Sequence, residues 1–429
     1  MTLSWLSIFR LGLVQMCLGA IVVLTTSTLN RLMVVELALP AVLPGLLVAL
    51  HYGIQITRPN WGFLSDAGGN RTLFIVGGMG VLALGGLGAA WGVALMETAF
   101  APGLAVSIAA YALIGVGVGA SGTSLLALLA TATAPRRRAA AATITWLMMI
   151  FGIAATAGTV GAFLDPYSHA LLLRIVAIVA GGAVLLTILA VWGVERGVDA
   201  QPAHDEQGFV EGLKEVWAER HARNFTIFVF LSMTAYFMQE LILEPYAGLV
   251  FGLTPGQSTS LSGAQNGGVF VGMLLVGIAA TGLRIGSLRS WVIAGCLGSA
   301  ASLAAITVAG SAGISAGLMP GVVALGMFNG MFAVAAIGSM MALAGEGRES
   351  REGTRMGLWG AAQAIAAGFG GLTGAAAADV MRTFMASDAT AFGTVFLAEA
   401  ALFLVAAAMA AKVIQTARAP GRAAMMPGE

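Results

Sequence analysis

Twelve long apolar stretches run through this sequence, and they leave few folds open to it. A helix that crosses a membrane needs about 20 mostly apolar residues. The chain of 429 residues is 58% hydrophobic and only 10% charged, which is too little polar surface to cover a soluble protein. The sequence therefore predicts an all-α membrane protein with twelve transmembrane helices. The predicted spans are 11–35, 41–57, 72–95, 103–131, 143–164, 170–194, 225–251, 258–283, 290–310, 316–344, 356–378 and 391–411.

The basic residues predict how the helices are oriented in the membrane. Of the 21 Lys and Arg, all but Arg31, Arg174 and Arg382 fall in loops or tails on one side of the predicted bundle. Cytoplasmic loops carry the excess of positive charge, so that side and both termini are predicted to be cytoplasmic. The net charge of +1 does not support a nucleic-acid partner. The lipid bilayer is the partner that composition indicates.

The two halves of the chain read as copies of each other. A shift of 215 positions places Pro40 on Pro255 and Gly115 on Gly330. Internal repeats of this size are typical of transporter folds. The repeat predicts two pseudo-symmetric six-helix bundles joined by a cytoplasmic linker. The predicted boundaries are 1–195 for the first bundle, 196–223 for the linker, 224–412 for the second bundle and 413–429 for a cytoplasmic tail.

The linker contains apolar residues at helical spacing between 209 and 217, with charged residues opposite them. This pattern predicts an amphipathic helix at the cytoplasmic interface. The helix is either a connector that lies against the bundle or a device that docks a partner.

A polar loop, GFLSDAGGNR, separates the second and third predicted spans. Gly62 allows two helices to approach, Asp66 suits the positive N-terminus of the next helix, and Arg71 suits the headgroup layer. With Gly69, these residues form the pattern Gly-x-Leu-x-Asp-x-x-Gly-x-Arg. The pattern resembles the loop between the second and third helices of major facilitator superfamily transporters, although Ala67 stands where that loop carries a basic residue. We interpret the loop as a cytoplasmic gate.

Glycine clusters mark two of the spans as closely packed. Helices in lipid associate through small residues that let their backbones approach. We therefore expect packing seams at both clusters. The clusters are Gly115, Gly117, Gly119 and Gly122 in the fourth span, and Gly368, Gly370, Gly371 and Gly374 in the eleventh.

Four charged residues lie near the outer ends of the first and seventh spans. A charge at the centre of a membrane helix costs about 2.5–3.5 kcal/mol on insertion scales, so such residues often serve function. We predict that Arg31 pairs with Glu240 or Glu244 and closes the outer mouth. For Glu36 and Glu244, a simple interfacial position is an equal alternative.

The second span carries a polar pair, His51 and Gln55, which share one helix face. The shift of 215 positions places Asn266 on His51. A neutral imidazole among apolar residues can ligate the magnesium of a chlorin ring, so these three residues are candidates for a pigment or cavity site. A hydrogen-bonded structural histidine is the commoner role for such a residue. The surrounding walls are expected to offer Met, Phe, Leu and Ala, which suits a large apolar ligand.

Glu399 lies in the middle of the last span with no basic residue near it in sequence. It is either a neutral structural group or a residue that faces a polar group on another protein. No spacing of Cys, His or acidic residues indicates a metal site or a catalytic centre. The sequence therefore predicts no catalytic residue, no metal and no enzymatic activity.

Four segments carry a specific resemblance, and they are TSTLNRLMVVELALPA (26–41), HYGIQITRPNWGFLSDAGGNRT (51–72), MQELILEPYAGLVFG (238–252) and GLWGAAQAIAAG (357–368). They resemble the LhaA/PucC group, the bacteriochlorophyll-delivery branch of the major facilitator superfamily. The resemblance implies that fold, and it implies a role in assembling light-harvesting complexes in purple phototrophic bacteria. The stretch TLNRLMVVEL is most similar to the LhaA type, which serves the LH1 core antenna around the reaction centre.

The same resemblance implies the partners, the ligand and the location. The implied partners are light-harvesting antenna polypeptides, the reaction centre with its LH1 antenna, and a pigment synthase. Bacteriochlorophyll is implied as a bound ligand or cargo, with no catalytic cofactor. The implied location is the bacterial inner membrane, in its intracytoplasmic photosynthetic part. A conventional secondary transporter of a small molecule is the alternative that the polar loop favours.

Overall fold

The computed structural model describes residues 3–58, 60–61, 64, 70–134, 137–195, 217–283, 285–345 and 352–414. The regular structure in these ranges is entirely helical, as the sequence predicts. Residues 24–28 and 32–36 of the first helix form wider π turns. The helices are α1 Trp5–Glu36, α2 Val42–Thr57, α3 Arg71–Met96, α4 Phe100–Ala132, α5 Arg138–Phe163, α6 His169–Val191, α7 Arg220–Met238 continued by Leu243–Phe251, α8 Pro255–Val276, α9 Leu288–Ser311, α10 Leu318–Gly345, α11 Glu352–Phe384 and α12 Asp388–Val413.

Eleven of these helices in the described ranges are long and apolar enough to cross a membrane. The remaining one, α2, is apolar but shorter. The chain is thus a multi-pass membrane protein, and its helices lie close to the twelve predicted spans. The predicted span 225–251 is confirmed as Ala222–Phe251. Within it, the first part of α7 ends at Met238 and the second begins at Leu243, with a turn between them.

Two large hydrophobic clusters form most of the interior, and a small third one, Ile150 with Val269 and Met273, lies where α5 meets α8. Of the two large clusters, one is built almost entirely from residues between 3 and 194, and the other from residues between 225 and 414. Between the halves, α5 packs against α8 and α2 packs against α11. α1 begins and α12 ends on one side of the bundle, which we call the terminus side, and the opposite side is the far side.

Small residues line the contact between α3 and α4 at intervals of seven. An added Cβ at Gly85 would lie 2.9 Å from the carbonyl oxygen of Ala110, and one at Gly92 would lie 3.0 Å from that of Gly103. The two backbones therefore touch along the whole contact, as small-residue seams in membranes do. The facing sets are Gly78, Gly85 and Gly92 on α3, and Gly103, Ala110 and Gly117 on α4.

The predicted glycine seams are also present. An added Cβ at Gly117 would lie 2.5 Å from the Leu82 backbone nitrogen, and one at Gly374 would lie 2.4 Å from the Met238 carbonyl oxygen. Gly122 has only ordinary contact, with its nearest neighbour at 3.7 Å. Helix packing thus accounts for Gly117 and Gly374.

The start of α3 is held by a carboxylate from the end of the same half. Glu195 accepts hydrogen bonds from the backbone N–H groups of Arg71 (3.1 Å) and Thr72 (2.9 Å), and the Asn70 side chain accepts one from Leu73 (3.1 Å). Arg71 is 5% exposed and donates to the Thr131 hydroxyl at 2.5 Å. Arg71 thus lies at the start of α3 with its side chain buried against α4, and its predicted position in the headgroup layer stays a prediction.

We expect Glu195→Ala to lower the free energy of unfolding by about 1–2 kcal/mol, because two N–H groups at a helix start lose their acceptor. Glu195→Gln keeps one acceptor oxygen and should lose less. Thermal unfolding of the purified protein in detergent measures both changes. Equal melting temperatures for the wild type and Glu195→Ala would contradict the capping role.

Candidate functional site

A cavity of about 320 Å³ lies between the two halves. Its walls come from α1, α2, α4 and α5 on one side and from α7, α8, α10 and α11 on the other. The predicted candidates His51, Gln55 and Asn266 all line it, so the shift of 215 positions relates residues of one cavity. Its volume is at the lower end of the range for sites that hold drug-sized ligands, about 300–1,000 Å³.

The cavity walls are more polar than the sequence analysis expected. Leu18, Met149, Ile153 and Phe237 provide the expected apolar surface. Hydrogen-bonding side chains from several helices lie among them, because the helices are rotated to turn isolated carboxamides inward. The cavity thus combines an apolar wall with neutral donors and acceptors and with the guanidinium of Arg58 and the carboxyl group of Glu240. The carboxamides are Gln15, Gln55, Gln239, Gln265, Asn266 and Gln363.

A short hydrogen-bond chain fixes the protonation of His51. The Arg58 guanidinium donates to the Gln55 side-chain oxygen, so the amide nitrogen of Gln55 faces the other way. That nitrogen lies 3.1 Å from Nε2 of His51, which must accept from it. The imidazole proton is therefore assigned to Nδ1, which is buried and has no hydrogen-bond partner.

On the far side of the cavity, polar side chains of α1 meet α7 and α8. Ser27 donates to Glu244, and the Thr28 and Thr259 hydroxyl oxygens are 3.2 Å apart. The Asn30 amide donates to the Leu241 carbonyl at 2.7 Å, in the break of α7. These contacts close the space between the two halves on the far side of the cavity.

The expected pairing of Arg31 with Glu240 or Glu244 is wrong. Arg31 is 2% exposed and pairs with Glu36 on its own helix, and it donates to the Leu253 carbonyl at 2.7 Å. The π turn between Leu32 and Glu36 carries Glu36 to the Arg31 side chain. Arg31 therefore does join the two halves, but through a backbone carbonyl.

A tyrosine in the loop between α5 and α6 extends this polar region. The Tyr167 hydroxyl lies 2.7 Å from Nδ1 of His169, whose other ring nitrogen pairs with Glu97. Burial and the nearby Glu36 and Glu97 carboxylates raise the pKa of Tyr167 to about 12. The hydroxyl thus stays protonated at neutral pH and can act as a donor.

Two aspartates join the halves on the far side. Asp165 follows α5 and accepts from the Thr254 hydroxyl (2.5 Å) and the Gly256 N–H (3.1 Å) at the start of α8. Asp379 in α11 accepts from the N–H groups of Ala41 (2.9 Å) and Val42 (2.7 Å) at the start of α2. Each carboxylate thus caps a helix of the opposite half, and we call the two contacts the aspartate clasps. The sequence analysis missed both aspartates.

The remaining predicted site residues lie apart from the cavity. Glu399 is 0% exposed, and neither of its carboxyl oxygens has a hydrogen-bond partner. The interpretation of Glu399 as a partner-facing residue is therefore wrong, because the side chain points into the second hydrophobic cluster. The gate-loop residues Gly62, Asp66 and Gly69 lie outside the described residues, as does most of the linker with its predicted amphipathic helix.

Comparison with known proteins identifies the family. A family model described as PUCC protein matches residues 28–418. The chain belongs to the PucC family. A relative from Rhodobacter capsulatus, named bacteriochlorophyll synthase 44.5 kDa chain, is 69% identical to this PucC-family chain over 430 residues and covers 100% of both chains. Protein PucC of Cereibacter sphaeroides is 28% identical over 381 residues, 84% of this chain and 81% of its own length.

Two of the solved structures that this chain resembles in architecture are transporters. A bacterial homologue of the human lysosomal transporter Spinster, inward-facing and unoccupied, matches the PucC-family chain with a TM-score of 0.71 at 15% identity, over 95% of this chain and 97% of that one. The nucleoside transporter NupG matches with a TM-score of 0.66 at 13% identity, over 96% and 98%. The chain therefore shares the fold of these two transporters.

Proposed function

We propose that this chain is a non-catalytic assembly factor for light-harvesting complexes, and that it binds bacteriochlorophyll in the cavity between its halves. The cavity carries the proposal, since it combines apolar walls with a set of hydrogen-bonding side chains and a single described carboxylate in a chain of the PucC family. Such walls suit an apolar ring system with a few carbonyl groups at its edge. The name of the Rhodobacter capsulatus relative supports a connection with this pigment.

The proposed partners are antenna polypeptides of the LH1 core complex around the reaction centre, together with a pigment synthase. The proposed location is the intracytoplasmic photosynthetic membrane. Purification in mild detergent from a phototrophic bacterium that carries this chain should bring down near-infrared-absorbing pigment and single-span antenna polypeptides. A colourless preparation without partners, from an extract whose antenna complexes stay intact, would contradict the proposal.

A variant that fills the cavity should separate pigment binding from partner binding. Ala364 of α11 lines the cavity, whereas its neighbour Ile365 is 56% exposed on the outside of the helix. We expect Ala364→Trp to remove most of the bound pigment, because an indole occupies the space, and Ile365→Trp to retain it. Pigment absorbance per protein in purified samples gives the comparison. Equal pigment content in both variants would place the pigment outside the cavity.

The second candidate function is that of a conventional transporter for a small molecule. Glu240 favours it, because this carboxyl group lies in the cavity of a transporter fold. Reconstitution into proteoliposomes tests the idea. Solute uptake that falls with Glu240→Gln would support transport, and the absence of uptake across a broad panel of solutes would leave the assembly factor as the better proposal.

A further inference from the structure

We propose that Glu240, and not His51, ligates the central magnesium of a chlorin held in the cavity, an inference that rests on the proposed function. Magnesium prefers hard oxygen ligands, and carboxylates are the commonest that proteins supply. A chlorin leaves its magnesium open above and below the ring plane. The ligand must therefore be a group in the cavity wall with a free lone pair.

His51 does not meet this condition in the observed arrangement. Its Nε2 accepts from Gln55, and Gln55 is held in that orientation by Arg58. The other ring nitrogen then carries the proton and has no lone pair to give. Ligation by His51 would require breaking both hydrogen bonds and turning the Gln55 side chain away.

Glu240 does meet it. Among the cavity-lining residues that the structure describes, it carries the only carboxylate. No described basic side chain forms an ion pair with it: Arg31 is engaged by Glu36, and Arg58, which lines the same cavity, donates to Gln55. The Glu240 carboxyl group is hydrogen-bonded to the Thr26 side chain, which leaves its other lone pairs free. A carboxylate in mostly apolar surroundings is costly unless a cation or metal balances it, and a chlorin magnesium would supply that balance.

Aromatic rings beside Glu240 provide the surface for a flat macrocycle. The ring of Tyr236 stands edge-on to that of Phe237 with centroids 5.0 Å apart, and Tyr52 meets Phe237 at 6.2 Å. All three residues line the cavity with Glu240. Rings at these distances pack on another aromatic system through offset or edge contacts. The carboxamides of Gln239 and Asn266 provide partners for carbonyl groups at the macrocycle edge.

The break in α7 explains why the carboxylate is placed there. Glu240 is the second residue after Met238, where the first part of the helix ends, and its N–H donates to the Phe237 carbonyl in a tight turn. The far half of α7 is joined to α1 through Ser27 and Glu244. The ligand thus lies at the inner end of the cavity, next to the contacts that close the far side.

The test uses the purified full-length protein in lipid nanodiscs, titrated with bacteriochlorophyll a and with its magnesium-free counterpart, bacteriopheophytin a. We expect the wild type to bind the magnesium pigment at least about tenfold more tightly. Glu240→Met, which keeps the volume but removes the oxygens, should abolish this preference while the magnesium-free pigment binds as before. Glu240→Leu is a second variant for the case that Glu240→Met does not fold.

His51→Ala is the matched control, and we expect it to keep the preference for magnesium. A preference that survives in both Glu240 variants, or that disappears in His51→Ala instead, would overturn the assignment and leave the proposed function intact. Failure of the wild type to bind either pigment would count against pigment binding in the cavity itself. The visible absorption band that reports magnesium coordination should change in the Glu240 variants alone.

Discussion

Gly272→Ala is expected to destabilise the protein more than any other single methyl group added along α8. An ideal Cβ at this position would lie 2.0 Å from the carbonyl oxygen of Met327 on α10. The contact between α8 and α10 is equally close when a methyl group is added on α10, because a Cβ at Gly326 would lie 2.0 Å from the Gln265 carbonyl oxygen on α8. Backbone atoms cannot rotate away, so the two helices must separate. Overpacking typically costs about 1–3 kcal/mol, and the cost here should reach or exceed the upper end.

Gly267→Ala is the control for Gly272→Ala. Gly267 lies on the same helix, and nothing stands within 4 Å of its added Cβ. Alanine there should stabilise the helix by up to about 1 kcal/mol, because it restricts the unfolded chain. Size-exclusion profiles after stepwise heating in detergent give the two apparent melting temperatures. Equal melting temperatures for the two variants would mean that the contact between α8 and α10 can open without cost.

The membrane spans could be predicted because hydropathy is a local property of the chain. The span 290–310 corresponds to Leu288–Ser311, and the other spans match their helices to within seven residues at each end. The break in α7 has a signal of a different kind, because Pro245 has no N–H to donate to the Leu241 carbonyl four residues earlier and its ring crowds that carbonyl. The sequence analysis did not use this signal. The carbonyl that the break leaves free at Leu241 is satisfied by Asn30, which lies more than 200 positions earlier in the chain.

The cavity residues were only partly predictable. The repeat places His51 and Asn266 at equivalent positions, and equivalent positions of two related bundles face a common axis. Sequence alone does not give the rotation of each helix, so isolated carboxamides such as Gln15 and Gln363 could not be assigned to the cavity. The partner of Arg31 was missed for a related reason, since Glu36 reaches it only through a π turn.

The aspartate clasps left a signal in the sequence that was not used. Asp165 and Asp379 are 214 positions apart, which is one position from the repeat shift of 215. Asp165 follows the far-side end of α5, next to the start of α8, and Asp379 lies near the far-side end of α11, next to the start of α2. A search for acidic residues repeated at this spacing would have found the pair, although it could not have shown that the carboxylates cap α8 and α2.

The double variant Asp165→Asn with Asp379→Asn is expected to open the far side of the protein. Hydrogen bonds to a charged group contribute about 1.5–3 kcal/mol each, and the helix N-termini lose a favourable anion as well. Asn retains one acceptor oxygen, so each clasp should lose about 1.5–3 kcal/mol, the contribution of one such hydrogen bond. The two clasps together should lose roughly twice as much. A shift of about 5.5 kcal/mol takes a two-state equilibrium from 1:99 to 99:1, so the double variant should change the dominant state.

Spin labels at Thr98 and Ala386 would report this opening, because both residues are exposed on the far side and belong to different halves. The two buried native cysteines, Cys17 and Cys296, would first be replaced by alanine. We expect a longer label distance in the double variant and intermediate mixtures in the single variants, since distant sites act additively. Glu195→Gln is the matched control, because Glu195 caps a helix of its own half on the terminus side. An unchanged distance distribution in the double variant would show that the far side is held by the α1 contacts of Ser27, Asn30 and Arg31 instead.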